Sequence, residues 1–191
     1  MLQQRLEKRG WKDVVVAKTE TGQEFLSALE SASKKAPIKN LVAWGHAFPH
    51  GIVMKEDEGM YRKRSDLAPK SGAAFLEDLE KRMKAGTIKF SKDATIVLAA
   101  CNCGGTIDVK TGKATPDSSS FAAELAKLTG ARVIASVGGS DQTVAGDDMR
   151  REGTMGGWFV FDKQNPEGRA LQGCTDSSCK VIQPERLIKK D

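Results

Sequence analysis

Two residues whose side chains can cooperate in nucleophilic catalysis each follow an apolar segment of this sequence. His46 comes directly after KNLVAWG, and Cys101 comes directly after ATIVLAA. A thiolate is a strong nucleophile, and a neighbouring imidazole can take the thiol proton and later deliver it to a leaving group. Brought together, the two residues would support acyl transfer through a cysteine.

The elements that must position them alternate between strands and helices. Apolar or β-branched segments predict strands at 13–19, 39–46, 94–101, 132–138 and 156–163, with a short hairpin arm at 51–54. Helices are predicted at 2–9, 21–33, 71–86 and 118–130, several with capping residues or a terminal glycine. This alternation is typical of βαβ units. The expected fold class is therefore α/β, a three-layer sandwich whose mostly parallel sheet is flanked by helices.

In such a sheet the functional groups gather at the carboxyl ends of the strands. One helix separates the two strands, so a right-handed crossover would bring His46 and Cys101 side by side. Gly104 and Gly105 follow the cysteine. They would let a substrate approach the backbone and leave amide groups for an oxyanion.

The two segments NLVAWGHAFPHGIVM and ATIVLAACNCGG resemble the motifs of the caspase-like cysteine peptidases. This group includes caspases, gingipains, clostripain, the CHAT peptidases and the self-processing domains of toxins. Its pattern is an apolar strand that ends in His-Gly, then one that ends in Ala-Cys with a glycine soon after. Here the cysteine follows the histidine by 55 residues, close to the roughly 50 typical of caspases.

The resemblance covers about residues 1–163 and leaves 164–191 as an irregular tail. It implies a cysteine endopeptidase, acting on a protein or peptide, with Cys101 as nucleophile and His46 as general acid and base. It also implies that the backbone amides of Cys101 and Ala47 bind the oxyanion. No metal or other cofactor is expected.

The sequence departs from the family pattern at three points. Ala47 stands where the family has a glycine, and the pair His50-Gly51 leaves His50 as an alternative catalytic residue. Cys103 is a second thiol and an alternative nucleophile. The family's first strand is absent before the helix at 2–9. This leaves open a module of a larger precursor, or a sheet edge closed by another chain.

The substrate pocket and the remaining cysteines are less well defined. By the resemblance, Asp141 could face a basic substrate residue, although an aspartate here could equally cap a turn. Cys174 and Cys179 could form a local disulfide, or join Cys101 and Cys103 in a zinc site. The zinc interpretation is disfavoured, because C-x-C with C-x4-C is not a usual pair of zinc knuckles.

Composition limits the remaining function classes. The net charge is +5 and the pI about 9.0, but the basic residues are scattered. This favours a solvated basic surface over a nucleic-acid site. No apolar segment reaches the roughly 18 residues of a membrane span, and the N-terminal segment lacks an apolar leader. We therefore expect a cytoplasmic protein, or a bacterial effector or toxin module delivered into a target cell. The alternative is an inactive caspase-like scaffold or protein-binding module, which Ala47 favours.

Overall fold

The computed structural model describes residues 2–66, 68, 70–145, 148–153, 157–172, 181–182 and 187–188. The helices are α1 (Leu2–Lys8), α2 (Gly22–Ser33), α3 (Leu76–Lys84) and α4 (Phe121–Thr129). The strands, in chain order, are β1 (Ile38–Trp44), β2 (His46–Phe48), β3 (Gly51–Val53), β4 (Met60–Tyr61), β5 (Ala74–Phe75), β6 (Phe90–Ala99), β7 (Gly105–Ile107), β8 (Ala114–Pro116), β9 (Arg132–Ser136), β10 (Ser140–Ala145), β11 (Asp148–Gly153), β12 (Trp158–Asp162), β13 (Asn165–Ala170) and β14 (Val181–Ile182).

The central sheet has the strand order β1-β6-β9-β12-β13. β1, β6 and β9 are parallel neighbours, whereas β12 and β13 are antiparallel. Smaller sheets are formed by β2-β3-β4-β5, by β7 and β8, and by β10-β11-β14. Within the described residues, three strand pairings are parallel and seven are antiparallel.

The prediction of a mostly parallel, three-layer caspase-like sandwich is therefore wrong. The cause is the length of the connections. Parallel neighbours need a crossover of about a dozen residues or more, which α3 and α4 supply. β12 and β13 are joined by only two residues, so they can pair only as a hairpin. Segments outside the predicted strands and helices also hold short antiparallel strands, including β7, β8, β10 and β11.

Three helices pack on one face of the central sheet. Side chains of α2, α3 and α4 share one buried cluster with Ile96 and Leu98 of β6. Val97 lies between these two residues and points to the opposite face, as expected for successive residues of a strand. That face carries a second cluster of Val97, Ile134, Trp158, Val160 and Leu171, with Leu187 and Ile188 packed against it.

The predicted strand at 13–19 does not form. These residues are irregular, and Val15 and Val16 are each 47% exposed. β-branched residues favour a strand only where the pleated surface packs against neighbours, and this segment has no paired strand in the described part of the chain. The helix predicted before it is present as α1.

The segment expected to be an irregular tail contributes to the sheet. β13 pairs with β12, and Leu171 directly after it is 6% exposed. None of the helices in the described ranges is long and apolar enough to cross a membrane.

Candidate active site

His46 and Cys101 follow adjacent parallel strands at corresponding positions. β1 and β6 pair in a register that ends with Trp44 opposite Ala99. His46 and Cys101 each lie two residues beyond this last pair. Both residues therefore leave the central sheet at the same edge, the one formed by the carboxyl ends of its parallel strands.

His46 begins the β2–β3 hairpin, whose two-residue loop is Pro49-His50. Its side chain is exposed, and it pairs with Val53 across the hairpin. His50 occupies the loop instead. Its ring stacks on Phe48 with 6.1 Å between ring centroids, and its carbonyl oxygen accepts the Arg62 amide at 2.8 Å. The two histidines thus have different environments: His46 follows a strand of the central sheet, and His50 lies in a hairpin loop.

The backbone of Ala47 is oriented by the same hairpin. Ala47 pairs with Ile52, between the pairs His46–Val53 and Phe48–Gly51. A two-residue loop closes on a hydrogen-bonded pair, and such pairs alternate with non-hydrogen-bonded ones. By this alternation the N–H of Ala47 points away from β3. It also faces away from the rest of its small sheet, because β2 is an edge strand.

The Cys101 thiol contacts a residue that comes 39 positions later in the chain. Its Sγ lies 3.0 Å from the carbonyl oxygen of Ser140, to which the thiol can donate. The amide nitrogen of Ser140 lies 3.4 Å from Sγ, and the hydroxyl oxygen lies 3.8 Å from it. Ser140 is 3% exposed and Cys101 is partly buried. One serine therefore surrounds the sulfur with two potential donors and one acceptor.

Hydrogen bonds to the end of β9 fix the turn that carries Cys101. The hydroxyl of Ser136 donates to the carbonyl of Ala100 at 2.6 Å. The amides of Asn102 and Gly104 donate to the carbonyls of Gly138 and Ser136 at 2.8 and 2.9 Å. Asn102 has φ 55°, in the left-handed region that asparagine tolerates better than most residues. The turn is thus held by hydrogen bonds to the end of β9 and to the residues that follow it.

The two glycines after the cysteines are packed into the protein. A Cβ on Gly104 would lie 2.8 Å from Cε2 of Phe161, and one on Gly105 would lie 2.3 Å from the carbonyl oxygen of Thr115. Their amides donate to Ser136 and to Asn102. Gly104 was expected to serve the substrate or the oxyanion, but its amide is already engaged in the fold.

Cys103 has a different environment from Cys101. It is fully buried and belongs to the main core cluster. β6 ends at Ala99, so the two cysteines lie in a turn and the alternation of a strand does not relate them. Both are present as thiols. Cys103 therefore packs as a small apolar side chain, and Cys101 is the more accessible of the two.

The first turn of α4 joins the histidine segment to the cysteine segment. The amide of Phe121 donates to the carbonyl of Pro49 at 2.7 Å, and that of Ala122 donates to the carbonyl of Cys103 at 3.0 Å. The third amide, of Ala123, is capped by the Ser120 hydroxyl at 3.2 Å. The first amides of a helix have no partner within it. Two of them here connect α4 to the hairpin and to the turn.

The remaining predicted site residues are described only in part. The backbone of Asp141 lies in β10 opposite Glu152, and its side chain is outside the described residues. Cys174 and Cys179 also fall outside them. Among the residues that are described, no three His, Cys, Asp or Glu side chains form a group that could hold a metal ion.

A cavity of about 270 Å³ lies at the opposite edge of the sheet, where β6 and β9 begin. Burial and the nearby charge of Arg169 lower the pKa of Arg132, which lines this cavity. Burial alone would raise the pKa of Asp162, but hydrogen bonds from Asn165 and the backbone outweigh it, so that this pKa is lowered. Perturbed groups in a cleft can indicate function. However, no histidine or cysteine is among the described residues that line this cavity, and functional sites of parallel sheets do not usually lie at the amino ends of the strands.

Ser136 and Ser140 are the site residues that the sequence analysis missed. Both lie in the segment SVGGS, where the sequence assigns a site role only to the downstream Asp141. A serine at the end of a predicted strand next to the cysteine strand was the available signal. Which hydroxyl meets the sulfur depends on the turn at Gly138-Gly139, which the sequence does not specify.

Comparison with known proteins does not assign the chain to a family. No family model matches it, and neither a curated protein nor a solved structure is significantly similar to it.

Proposed function

We propose that the protein is a cysteine endopeptidase that uses a dyad of His46 and Cys101. The observation that carries this proposal is the parallel register of β1 and β6, which ends at Trp44 and Ala99. It gives the two residues equivalent positions beyond adjacent strands. A second source of support is α4, whose first two amides bind the segments that carry them.

The reaction would proceed by acyl transfer through the sulfur. Sγ of Cys101 bonds to the carbonyl carbon of the substrate while the thiol proton passes to His46. The imidazolium then gives this proton to the amine nitrogen as the C–N bond breaks. Water, deprotonated by His46, next attacks the thioester, and the proton returns to the departing thiolate. The products are an amine and a carboxylic acid, and the thiol is regenerated.

The oxyanion would be bound by backbone amides of Cys101 and Ala47. The orientation of the Ala47 amide, away from β3, supports its part in this. The amides of Gly104 and Gly105 are less suitable, since both are used within the turn. The resemblance adds a peptide or protein substrate, a basic residue facing Asp141, and a role as an effector or toxin module. These remain parts of the proposal.

A catalytically inactive scaffold or protein-binding module is the second candidate. Two observations favour it: the alanine at position 47, and the short contact from the Cys101 thiol to the Ser140 carbonyl. In a scaffold this contact would be a permanent structural bond. In an enzyme it must break when the sulfur attacks.

The deciding experiment is alkylation by iodoacetamide, with the rate at each cysteine followed by mass spectrometry from pH 6 to pH 9.5. At pH 6.5 an ordinary thiol with a pKa near 8.5 is only about 1% ionised. A catalytic Cys101 reacts faster than that fraction allows, and His46→Ala slows it by about tenfold or more at this pH.

His50→Ala is the matched control, because the chain contains only these two histidines. We expect it to leave the profile of Cys101 unchanged. A Cys101 that labels like an ordinary thiol, with or without His46, would refute the dyad and favour the scaffold. Dependence on His50 in place of His46 would move the acid–base role to the hairpin loop.

A further inference from the structure

Ser140 presents three of its polar groups to one sulfur atom. Its carbonyl oxygen, amide nitrogen and hydroxyl oxygen lie 3.0, 3.4 and 3.8 Å from Sγ of Cys101. The serine is 3% exposed, so water does not readily replace these contacts. Ser140 begins β10, and Val137, Gly138 and Gly139 separate it from the end of β9.

We propose that Ser140 is a positioning residue for Cys101, and that its hydroxyl stabilises the thiolate on which the proposed peptidase depends. The inference rests on that proposed function for its role in the reaction. Its physical basis is the contact geometry alone.

The three contacts differ in which form of the sulfur they stabilise. A thiol can donate its proton to the carbonyl, whereas a thiolate can only accept. Ionisation therefore ends the bond to the carbonyl and leaves a repulsive contact at 3.0 Å. The amide and the hydroxyl act in the opposite sense, because hydrogen bonds to an ionised acceptor are stronger than those to a neutral one.

The hydroxyl is the contact that a substitution can remove without changing the backbone. It is also able to rotate, so it can donate to the sulfur when charge appears there. Ser140→Ala and Ser140→Gly both delete it and add no bulk to a buried position. Ser140→Thr keeps a hydroxyl and serves as the conservative variant.

The test measures iodoacetamide labelling of Cys101 from pH 6 to pH 9.5 in the wild type and these variants. We expect deletion of the hydroxyl to slow labelling about three- to tenfold at pH 6.5, the factor expected from one lost hydrogen bond, and to have little effect at pH 9.5. Ser140→Thr should recover most of the rate. Thr95→Val is the control: it removes another hydroxyl that is 1% exposed, in the middle of β6, and should leave the profile unchanged.

An equal loss of rate at every pH would show that Ser140 only packs against the cysteine, and would overturn the proposal. So would an unchanged profile. If the variants fail to fold, labelling of Cys101 in His46→Ala decides. With the imidazole removed, the Ser140 contacts should still make Cys101 react faster at pH 6.5 than the roughly 1% ionised fraction of an ordinary thiol allows, and a rate at that fraction refutes stabilisation by Ser140.

Failure of the proposed function can be separated from failure of this inference. A profile that depends on Ser140 but not on His46 would retain the serine as a positioning residue and remove the dyad. A profile that depends on His46 but not on Ser140 would retain the dyad and remove the role of Ser140.

Discussion

The hydroxyl oxygen of Ser136 lies 2.6 Å from the carbonyl oxygen of Ala100 and joins the end of β9 to the end of β6. Both residues are fully buried. The next residue after Ala100 is Cys101, so this bond determines where the turn with the candidate nucleophile leaves the sheet. It links two neighbouring strands at the point where their ladder ends.

Removing this bond should destabilise the protein. Ser136→Ala leaves the carbonyl of Ala100 buried without its hydroxyl donor, and we expect the free energy of unfolding to fall by about 1–3 kcal/mol. Urea denaturation at pH 7 measures this. Ser31→Ala is the control, since this exposed hydroxyl donates to the Ser27 carbonyl of its own helix at 2.9 Å, and its effect should stay within about 0.5 kcal/mol. Similar losses in both variants would contradict the role of Ser136.

Gly104 should not tolerate a side chain. The Cβ of Gly104→Ala would come within 2.8 Å of the Phe161 ring and 3.2 Å of the Ser136 carbonyl oxygen. Overpacking of this kind costs about 1–3 kcal/mol, which thermal or urea unfolding will detect. In Gly45→Ala the nearest atom is at 3.4 Å, so the loss should be smaller.

A double mutant identifies the source of the Gly104 effect. Phe161→Leu takes away the ring that the new Cβ would meet, so the combined loss should be less than the sum of the two single losses. If the two single losses add up to the loss in the double mutant, the Phe161 ring is not what makes Gly104→Ala destabilising.

The free energy of unfolding should depend on pH through Asp66, which lies between β4 and β5. A hydrogen bond from Arg62, at 3.0 Å from Nε, holds the pKa of the Asp66 carboxyl below its usual range, although burial opposes this. A lowered folded-state pKa stabilises the protein above the unfolded-state value of about 3.9, and this contribution is lost as the pH falls through the folded-state pKa. Asp66→Asn should therefore cost about 1–2 kcal/mol at pH 7.

The difference between wild type and Asp66→Asn should shrink below pH 4, which urea titrations from pH 3 to pH 7 will measure. Asp57→Asn provides the comparison. Its carboxylate lies 3.6 Å from Lys70 but is 58% exposed, so the change should stay below about 0.5 kcal/mol. A pH-independent cost at Asp66 would argue for packing rather than charge.

Substitutions of two valines test whether residues 13–19 belong to a sheet. Val15 is 47% exposed in an irregular segment, whereas Val97 is fully buried in β6. Val97→Thr buries a hydroxyl and should lower the free energy of unfolding by about 1–3 kcal/mol, while Val15→Thr should change it by less than about 0.5 kcal/mol. A large effect at Val15 would mean that residues 13–19 pair with a strand in solution.

Local sequence signals predicted individual elements well. Thr21 caps α2 by accepting the Glu24 amide at 3.2 Å, and Ser120 and Gly130 begin and end α4. These are contacts over a few residues, and propensity describes them directly. The expected strand order for β1 and β6 was also correct, and with it the shared edge of His46 and Cys101.

Apart from the β1–β6 pair, long-range pairing was the part of the fold that the sequence did not reveal. The segment at 13–19 has the composition of a strand but no paired neighbour among the residues that the structure describes. β13 has two internal turn-forming residues, Pro166 and Gly168, yet pairs with β12. The Gly104 amide and the Ser140 contacts depend on how the turn after β9 folds back. Such contacts join residues about 30 to 40 positions apart, where residue type alone is not informative.

The first turn of α4 connects the hairpin that begins with His46 to the turn that carries Cys101. The amide of Phe121 donates to the carbonyl of Pro49 and that of Ala122 to the carbonyl of Cys103, so both segments are attached to adjacent residues of one helix. Bending of the sheet that carries α4 along would shift the two segments together and change their separation little. A partner that pulled α4 away would release both at once.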